Sequence, residues 1–198
     1  MVTPRVVVAY HSGFGHTATL AQAVGRGAES TGAAVHLIAV DTVSDEDWAV
    51  LDAADAIIFG CPTYMGNVSA GFQAFAERTG RRCMESTWRD KVGAGFTNSG
   101  SKAGDKLQTL SALAVFAAQH HMHWVNLGLT AGWNTSGASE FDLNRLGFWL
   151  GAGASTDVDA AASAVHEADV ATCEHLGQRV ARVTGQLVAG LAAASTAS

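Results

Sequence analysis

Long stretches of one kind are what this sequence lacks. No run of Lys or Arg is long enough to make a continuous positive footprint, and the formal net charge is −6, so nucleic acid is not an expected partner. No stretch approaches the roughly 18 uncharged apolar residues that a membrane span requires. The first apolar run, Val6 to Tyr10, is too short for a signal-peptide core and runs straight into polar turn residues. Cys61, Cys83 and Cys173 are odd in number and widely spaced, which argues against a disulfide framework and for reduced thiols in the cytoplasm. No C-x-x-C pair supports zinc, and no G-x-S-x-G elbow supports a serine hydrolase. Internal repeats are missing as well. What remains is an acidic chain of 198 residues, 48% hydrophobic, enough for one buried core and a single domain over residues 1–190. The Ala/Ser tail over 191–198 is expected to fray.

Apolar runs rich in Val and Ile occur at Arg5–Tyr10, Ala34–Val40, Asp55–Gly60, Lys91–Thr97 and Met122–Gly128. They read as five parallel strands buried on both faces. Helical spacing fills the gaps, over His16–Ser30, Asp45–Leu51, Val68–Arg78, Gly104–Gln119 and about Val158 to Leu187. Ser44 with Asp47 suits a capping box, and Gly32 and Gly80 stand where helices should stop. Strand then helix, repeated, predicts a doubly wound five-stranded α/β sheet with helices on both faces. Leu129–Ser155, rich in Gly, Asn, Thr and Ser, is longer than ordinary connections, so a functional or mobile loop is expected.

Three glycine- and hydroxyl-rich loops follow three of these strands: His11–Thr17, Pro62–Asn67 and Thr97–Gly104. Ligands of open parallel sheets bind outside the carboxyl ends of the strands, where such loops gather. In the first loop Ser12, Gly13, Phe14, Gly15, His16 and Thr17 open a helix, so backbone N–H groups and the helix dipole would face an anion. The Ser12, Thr17 and Thr19 hydroxyls add neutral donors. The lysine of a nucleoside-triphosphatase loop is absent. Alone, this loop fits a plain turn, a G-x-G-x-x-G/A dinucleotide site with Asp41 on the ribose, and a flavin phosphate site equally well. The other two loops decide among them, the second above all: Pro62, Thr63, Tyr64, Met65, Gly66 and Asn67 offer a stiff turn, polar groups and an aromatic cover for a planar ring. The ligand so implied is flavin mononucleotide (FMN).

The second loop with its flanks, Phe59 to Gly71, resembles the strand, P-T-aromatic/Arg-F-G-N-M-S-G and helix pattern of the flavodoxin-like NAD(P)H:quinone oxidoreductases of the tryptophan-repressor-binding-protein (WrbA) type. Gln119-His120-His121-Met122 is similar to that family's His-His-Gly-Met, Gly151–Ser155 to its late Gly-rich loop, and the likeness runs from Arg5 to about Leu187. The resemblance implies FMN, with Ser12 to Thr17 on the phosphate and Thr63, Tyr64 and Met65 flanking the ring. Thr97, Asn98, Ser99, Gly100, Ser101 and Gly104 would form the loop at its pyrimidine edge, with His121 over or beside the flavin and Phe14 near the nicotinamide. It further implies NADH or NADPH as donor, a quinone-like acceptor, ping-pong hydride transfer with His121 and Tyr64 as catalytic residues, and a homo-oligomer, dimer or tetramer. Two departures stand out: Cys83 replaces the family's lid aromatic, and the usual insertion before strand three is missing.

Other residues have plainer readings beside the functional ones. His120, His121 and His123 suggest metal, yet strand alternation separates them and no carboxylate lies nearby in sequence, so no metal is expected. Arg78, Arg81 and Arg82 suit either an NADPH 2′-phosphate or a solvated helix end. Trp133 and Trp149 suit a lid, a subunit contact or a loop anchor. The rival functions are a one-electron flavodoxin carrier, an FMN, nitro or azo reductase, and a cofactor-free interaction protein. A carrier needs a strongly acidic docking face, whereas the acidic residues here are dispersed and only 15% of the chain is charged.

Overall fold

The computed structural model describes residues 3–196. The order is β1 (Arg5–Tyr10), α1 (His16–Glu29), β2 (Ala34–Ala39), α2 (Asp45–Ala53), β3 (Ala56–Tyr64), β4 (Asn67–Val68), α3 (Ala70–Arg78) and α4 (Gly80–Met84). It continues with β5 (Val92–Ser99), α5 (Lys106–Gln119), β6 (His123–Trp124), β7 (Ala152–Ser155) and α6 (Glu167–Thr196). Strands align as β2-β1-β3-β5-β6, all parallel, with β7 also parallel to β5 and β4 antiparallel to β3. Alternation along each central strand sends side chains to two cores. Val6, Val8, Ala56 and Ile58 meet Leu20, Val24, Leu176 and Val180 of α1 and α6. Val7, Ala9, Ile57 and Phe59 meet Trp48, Phe72, Phe75 and Phe116 of α2, α3 and α5. This is the expected flavodoxin-like α/β fold, helices on both faces.

The strand count is seven rather than five, for two reasons. The chain passes Gly60 and turns back at Met65-Gly66, where φ is 48° and 77°, the two left-handed residues of a tight hairpin that makes β4. The expected strand over Met122–Gly128 is split: β6 pairs with Val92 and Gly93, the chain leaves the sheet, and β7 returns beside Phe96–Ser99. The long loop is therefore an insertion within one edge of the sheet, pinned by Asn144 N–H to Thr172 Oγ1 at 2.9 Å and by a buried Arg145–Asp169 pair.

Helix ends follow local chemistry. Ser44 and Asp47 form the expected capping box, with N–H to side-chain distances of 2.9 and 3.1 Å. Gly32, at φ 88°, receives the end of α1, whereas Gly80 does not stop a helix but opens α4 directly after α3. The last helix begins at Glu167 rather than near Val158, and it continues through Thr196, so residues 191–196 of the Ala/Ser tail are helical; 197–198 lie outside the described residues. No helix among the described residues is long and apolar enough to cross a membrane.

Candidate functional site

Because β1, β3, β5 and β7 are parallel, the loops after Tyr10, Tyr64, Ser99 and Ser155 meet at one end of the sheet. Two adjoining clefts lie there. A cavity of about 170 Å³ is lined by Ser12, Phe14, His16 and Thr17 of the first loop, Pro62, Thr63 and Tyr64 of the second, and Asn98, Ser99 and Gly100 of the third. A more open one of about 570 Å³ shares Thr63, Ser99 and Gly100 and adds Met65, Gly66, Ser101 and Gly104. The fold thus brings the three expected loops together.

The first loop is built as an anion receptor. Gly15 enters α1 at φ 90° with no side-chain cap, while Ser12 Oγ accepts from Gly15 N and Ala18 N, each at 3.1 Å. The N–H groups of Gly13, Phe14, His16 and Thr17 find no partner among the described residues, and the Ser12 proton and Thr17 hydroxyl are likewise uncommitted. Thr19 is committed elsewhere, donating to Ala162 O at 3.0 Å, so it is not the phosphate donor expected. His16 Nε2 lies 2.9 Å from Ala160 O, and with Thr19 it ties the 156–166 segment over the loop. Since a carbonyl only accepts, Nε2 carries the proton.

In the second loop Phe14 and Tyr64 meet edge to face, ring centres 6.3 Å apart. A Cβ on Gly13 would lie 2.5 Å from Tyr64 Oη, so only glycine lets the phenol sit there. Burial, with Cys61 nearby, raises the Tyr64 pKa. Several expectations need correction. Met65 borders the larger cleft but is fully exposed, so it is held by no packing within one chain. Asn67 turns its Oδ1 onto Val68 N at 2.8 Å and lines neither cleft, because it belongs to β4. Thr97 is wholly buried; it and Thr109 each lie 2.8 Å from Thr63 Oγ1, which makes Thr97 a support beneath the cleft rather than a ligand.

His121 is not at the site. It precedes β6, beside Val92 at the amino end of β5, whereas Asn98 lies near the carboxyl end, roughly 20 Å along the strand. At φ 60° His121 is the left-handed residue that closes α5, its N–H on Ala118 O and the Met122 N–H on Ala117 O. That is the place of the glycine in His-His-Gly-Met, so the motif's second histidine is in register with His120. His120 is buried, between Trp88 and Phe116. It borders a separate depression of about 440 Å³ between α3, α4 and α5, which includes Cys83 and no residue of the three loops. Arg82 pairs with Asp52 at 2.8 Å, Arg81 with Glu85 at 2.7 Å, and Arg78 reaches Val43 O, so none of the three faces the clefts.

Residues after β7 went unforeseen. Thr156 and Val158 line the smaller cleft, Thr156 Oγ1 donating to Asn98 Oδ1 at 3.0 Å, and Asp157 and Asp159 border the larger. Their signal was positional only: they follow a short small-residue strand at the carboxyl end of the sheet.

A family model described as NADPH-dependent FMN reductase matches residues 6–133. The chain belongs to this family. It is 42% identical over 186 residues to Flavodoxin FldP of Pseudomonas aeruginosa, covering 92% of this chain and 98% of that one. It is 33% identical over 205 residues to an NAD(P)H dehydrogenase (quinone) of Archaeoglobus fulgidus, covering 92% and 98%. Among solved structures, a flavodoxin, WrbA-like protein from Agrobacterium tumefaciens superposes with a TM-score of 0.74 at 40% identity, covering 93% of this chain and 99% of that one. The site fits the cofactor of an FMN reductase family member. Free N–H groups and neutral hydroxyls await a monophosphate, glycines 13 and 100 leave room that Tyr64 and Val158 would contest with any Cβ, and the adjoining cleft is open.

Proposed function

We propose that this chain is an FMN-dependent oxidoreductase that works on small molecules in the cytoplasm as a homo-oligomer. Bound FMN would take hydride from NADH or NADPH and, once the nucleotide has left, pass it to a quinone-like acceptor in the same pocket. The observation that carries the reading is the uncapped start of α1, where the N–H groups of Gly13, Phe14, His16 and Thr17, unpartnered among the described residues, stand beside the Ser12 and Thr17 hydroxyls. These residues hold the phosphate without a lysine, as suits a fixed handle rather than a leaving group. Phe14 and Tyr64 limit the space at the cleft, and Asn98, Ser99, Gly100, Ser101 and Gly104 supply polar contacts opposite. Tyr64 keeps its proton to high pH because burial raises its pKa, so it serves as a donor to an acceptor oxygen. His121, remote from both clefts, is left without a role.

The second reading is a carrier that docks to redox proteins, favoured by the 42% identity to a protein named a flavodoxin. An anaerobic titration of the FMN-loaded protein with NADH and then NADPH, followed by the flavin's visible absorption, separates the two. Bleaching by one equivalent of either nucleotide, reversed by a quinone, is the expected result. No bleaching by either nucleotide would leave the carrier.

A further inference from the structure

Behind the third loop lies a lysine that the proposed function does not use. Lys106 opens α5, and its side chain is fully buried. Its Nζ donates to the carbonyl oxygens of Ser101 and of Lys102, the latter at 3.1 Å. Ser99 Oγ donates to the same Ser101 carbonyl at 3.3 Å. The loop coils tightly around these bonds, with Gly104 and Asp105 at φ 55° and 56°. Carbonyls gathered on an ammonium are turned away from the cleft that Ser99, Gly100, Ser101 and Gly104 line.

Among the described residues no carboxylate is hydrogen-bonded to Lys106. The charged groups that face it are Asp169 of α6, Arg145 of the insertion and Lys102 of the loop. Asp169 is already taken by Arg145 and by the Ser155 N–H, at 2.8 and 2.9 Å. An ammonium this buried is held only by what it organises.

We infer that Lys106 is a positioning residue for the cofactor: it draws the carbonyls of the third loop inward, leaves the loop's N–H groups for the cofactor, and sets a positive charge beneath the cleft. The inference rests on the FMN reading. Burial lowers the Lys106 pKa from 10.5 to about 8. The charge is therefore in place below that pH and fades above it. Flavin gains negative charge on reduction, so the reduced form benefits more from the lysine than the oxidised form does.

The test compares the full chain with Lys106→Met and Lys106→Arg. FMN affinity is measured by fluorescence quenching across the pH range around 8, the midpoint potential of the bound flavin by dye equilibration, and amide hydrogen exchange over residues 99–105 in ligand-free protein. Wild type should bind FMN with an affinity that falls as pH rises through about 8. Lys106→Met should bind roughly tenfold more weakly at neutral pH, the equivalent of one charge-assisted hydrogen bond. It should also lose the pH dependence, shift the potential to more negative values and exchange faster in the loop; Lys106→Arg should restore part of the affinity, the potential and the loop protection but not the pH dependence, because a guanidinium keeps its charge. The Met variant also separates the lysine's titration from that of the flavin itself. Equal affinity, equal pH profile and equal loop exchange in wild type and Lys106→Met would overturn the inference. If Lys106→Met does not fold, a flat wild-type affinity profile overturns it alone. Faster loop exchange in Lys106→Met with no FMN binding by wild type would overturn the cofactor role and the FMN reading, leaving only a loop tether.

Discussion

At the residue scale, His120 is governed by the destination of one proton. Thr79 Oγ1 gives its hydrogen to Ala76 O at 2.6 Å, so it must accept from His120 Nε2 at 2.9 Å. Nε2 therefore carries a proton, and Nδ1 is buried with no partner among the described residues. Burial, with smaller contributions from His121 and Arg82, lowers its pKa from 6.5 to about 4. Between these values the unfolded chain binds the proton and the folded chain refuses it, so stability falls as pH drops from about 6.5 toward 4. Urea unfolding at neutral pH and near pH 4.5 should show wild type losing about 2 kcal/mol more than His120→Leu. An equal loss in both would remove His120 from the acid response. The histidine run shows where single-residue reading stops. His120 is buried while His121 and His123 are exposed, yet strand alternation is not the reason, because the strand begins only at His123 and His120 ends a helix. That His121 serves as a left-handed helix cap is a backbone property, and side-chain chemistry suggested a ligand instead.

At the scale of elements, α1 and α6 approach so closely that each needs a glycine at the crossing. A Cβ at Gly177 would stand 1.9 Å from the Val24 carbonyl oxygen, and one at Gly27 the same distance from that of Glu174. Backbone cannot yield as a side-chain tip would, so Gly177→Ala must push the helices apart and loosen the Leu20, Val24, Leu176 and Val180 core. A cost of about 1–3 kcal/mol in urea unfolding is expected. The exposed Arg26–Glu174 pair across the same crossing should matter far less when broken, by about 0–1 kcal/mol. Comparable losses from the two changes would refute the close-packing account. Elements were legible where the side chains are large: the Val and Ile of β1 and β3 and the capping box of α2 mark their own structure. β7 was not, because Ala152-Gly153-Ala154-Ser155 has no β-branched residue. Its smallness is set by packing: a Cβ on Gly153 would strike the Phe148 ring five residues earlier, and one on Gly151, just before the strand, the Gly95 carbonyl. With that strand hidden, the contribution of Thr156 and Val158 to the cleft was hidden too.

For the whole molecule, one carboxylate joins the parts that sequence alone kept separate. Asp169, near the start of α6, accepts from Arg145 of the insertion at 2.8 Å through both oxygens and from the Ser155 N–H of β7 at 2.9 Å. Both side chains are nearly inaccessible, at 3% and 2%, so removing one partner leaves the other charged and buried. Asp169→Asn and Arg145→Met should each cost about 3–5 kcal/mol in urea unfolding. The site should feel the change as well. Thr156 and Val158 follow directly on Ser155, and Asp169 is the charge that favours the protonated form of Lys106. In Asp169→Asn, Arg145 and Lys102 still oppose that protonation, so the pH at which FMN affinity begins to fall should move below its wild-type value near 8. Arg145→Met removes an opposing charge and should move it upward. Opposite shifts from two variants that destabilise alike would place the electrostatics of this buried pair, and not merely its packing, in the behaviour of the cleft; shifts of the same sign would leave packing as its whole contribution.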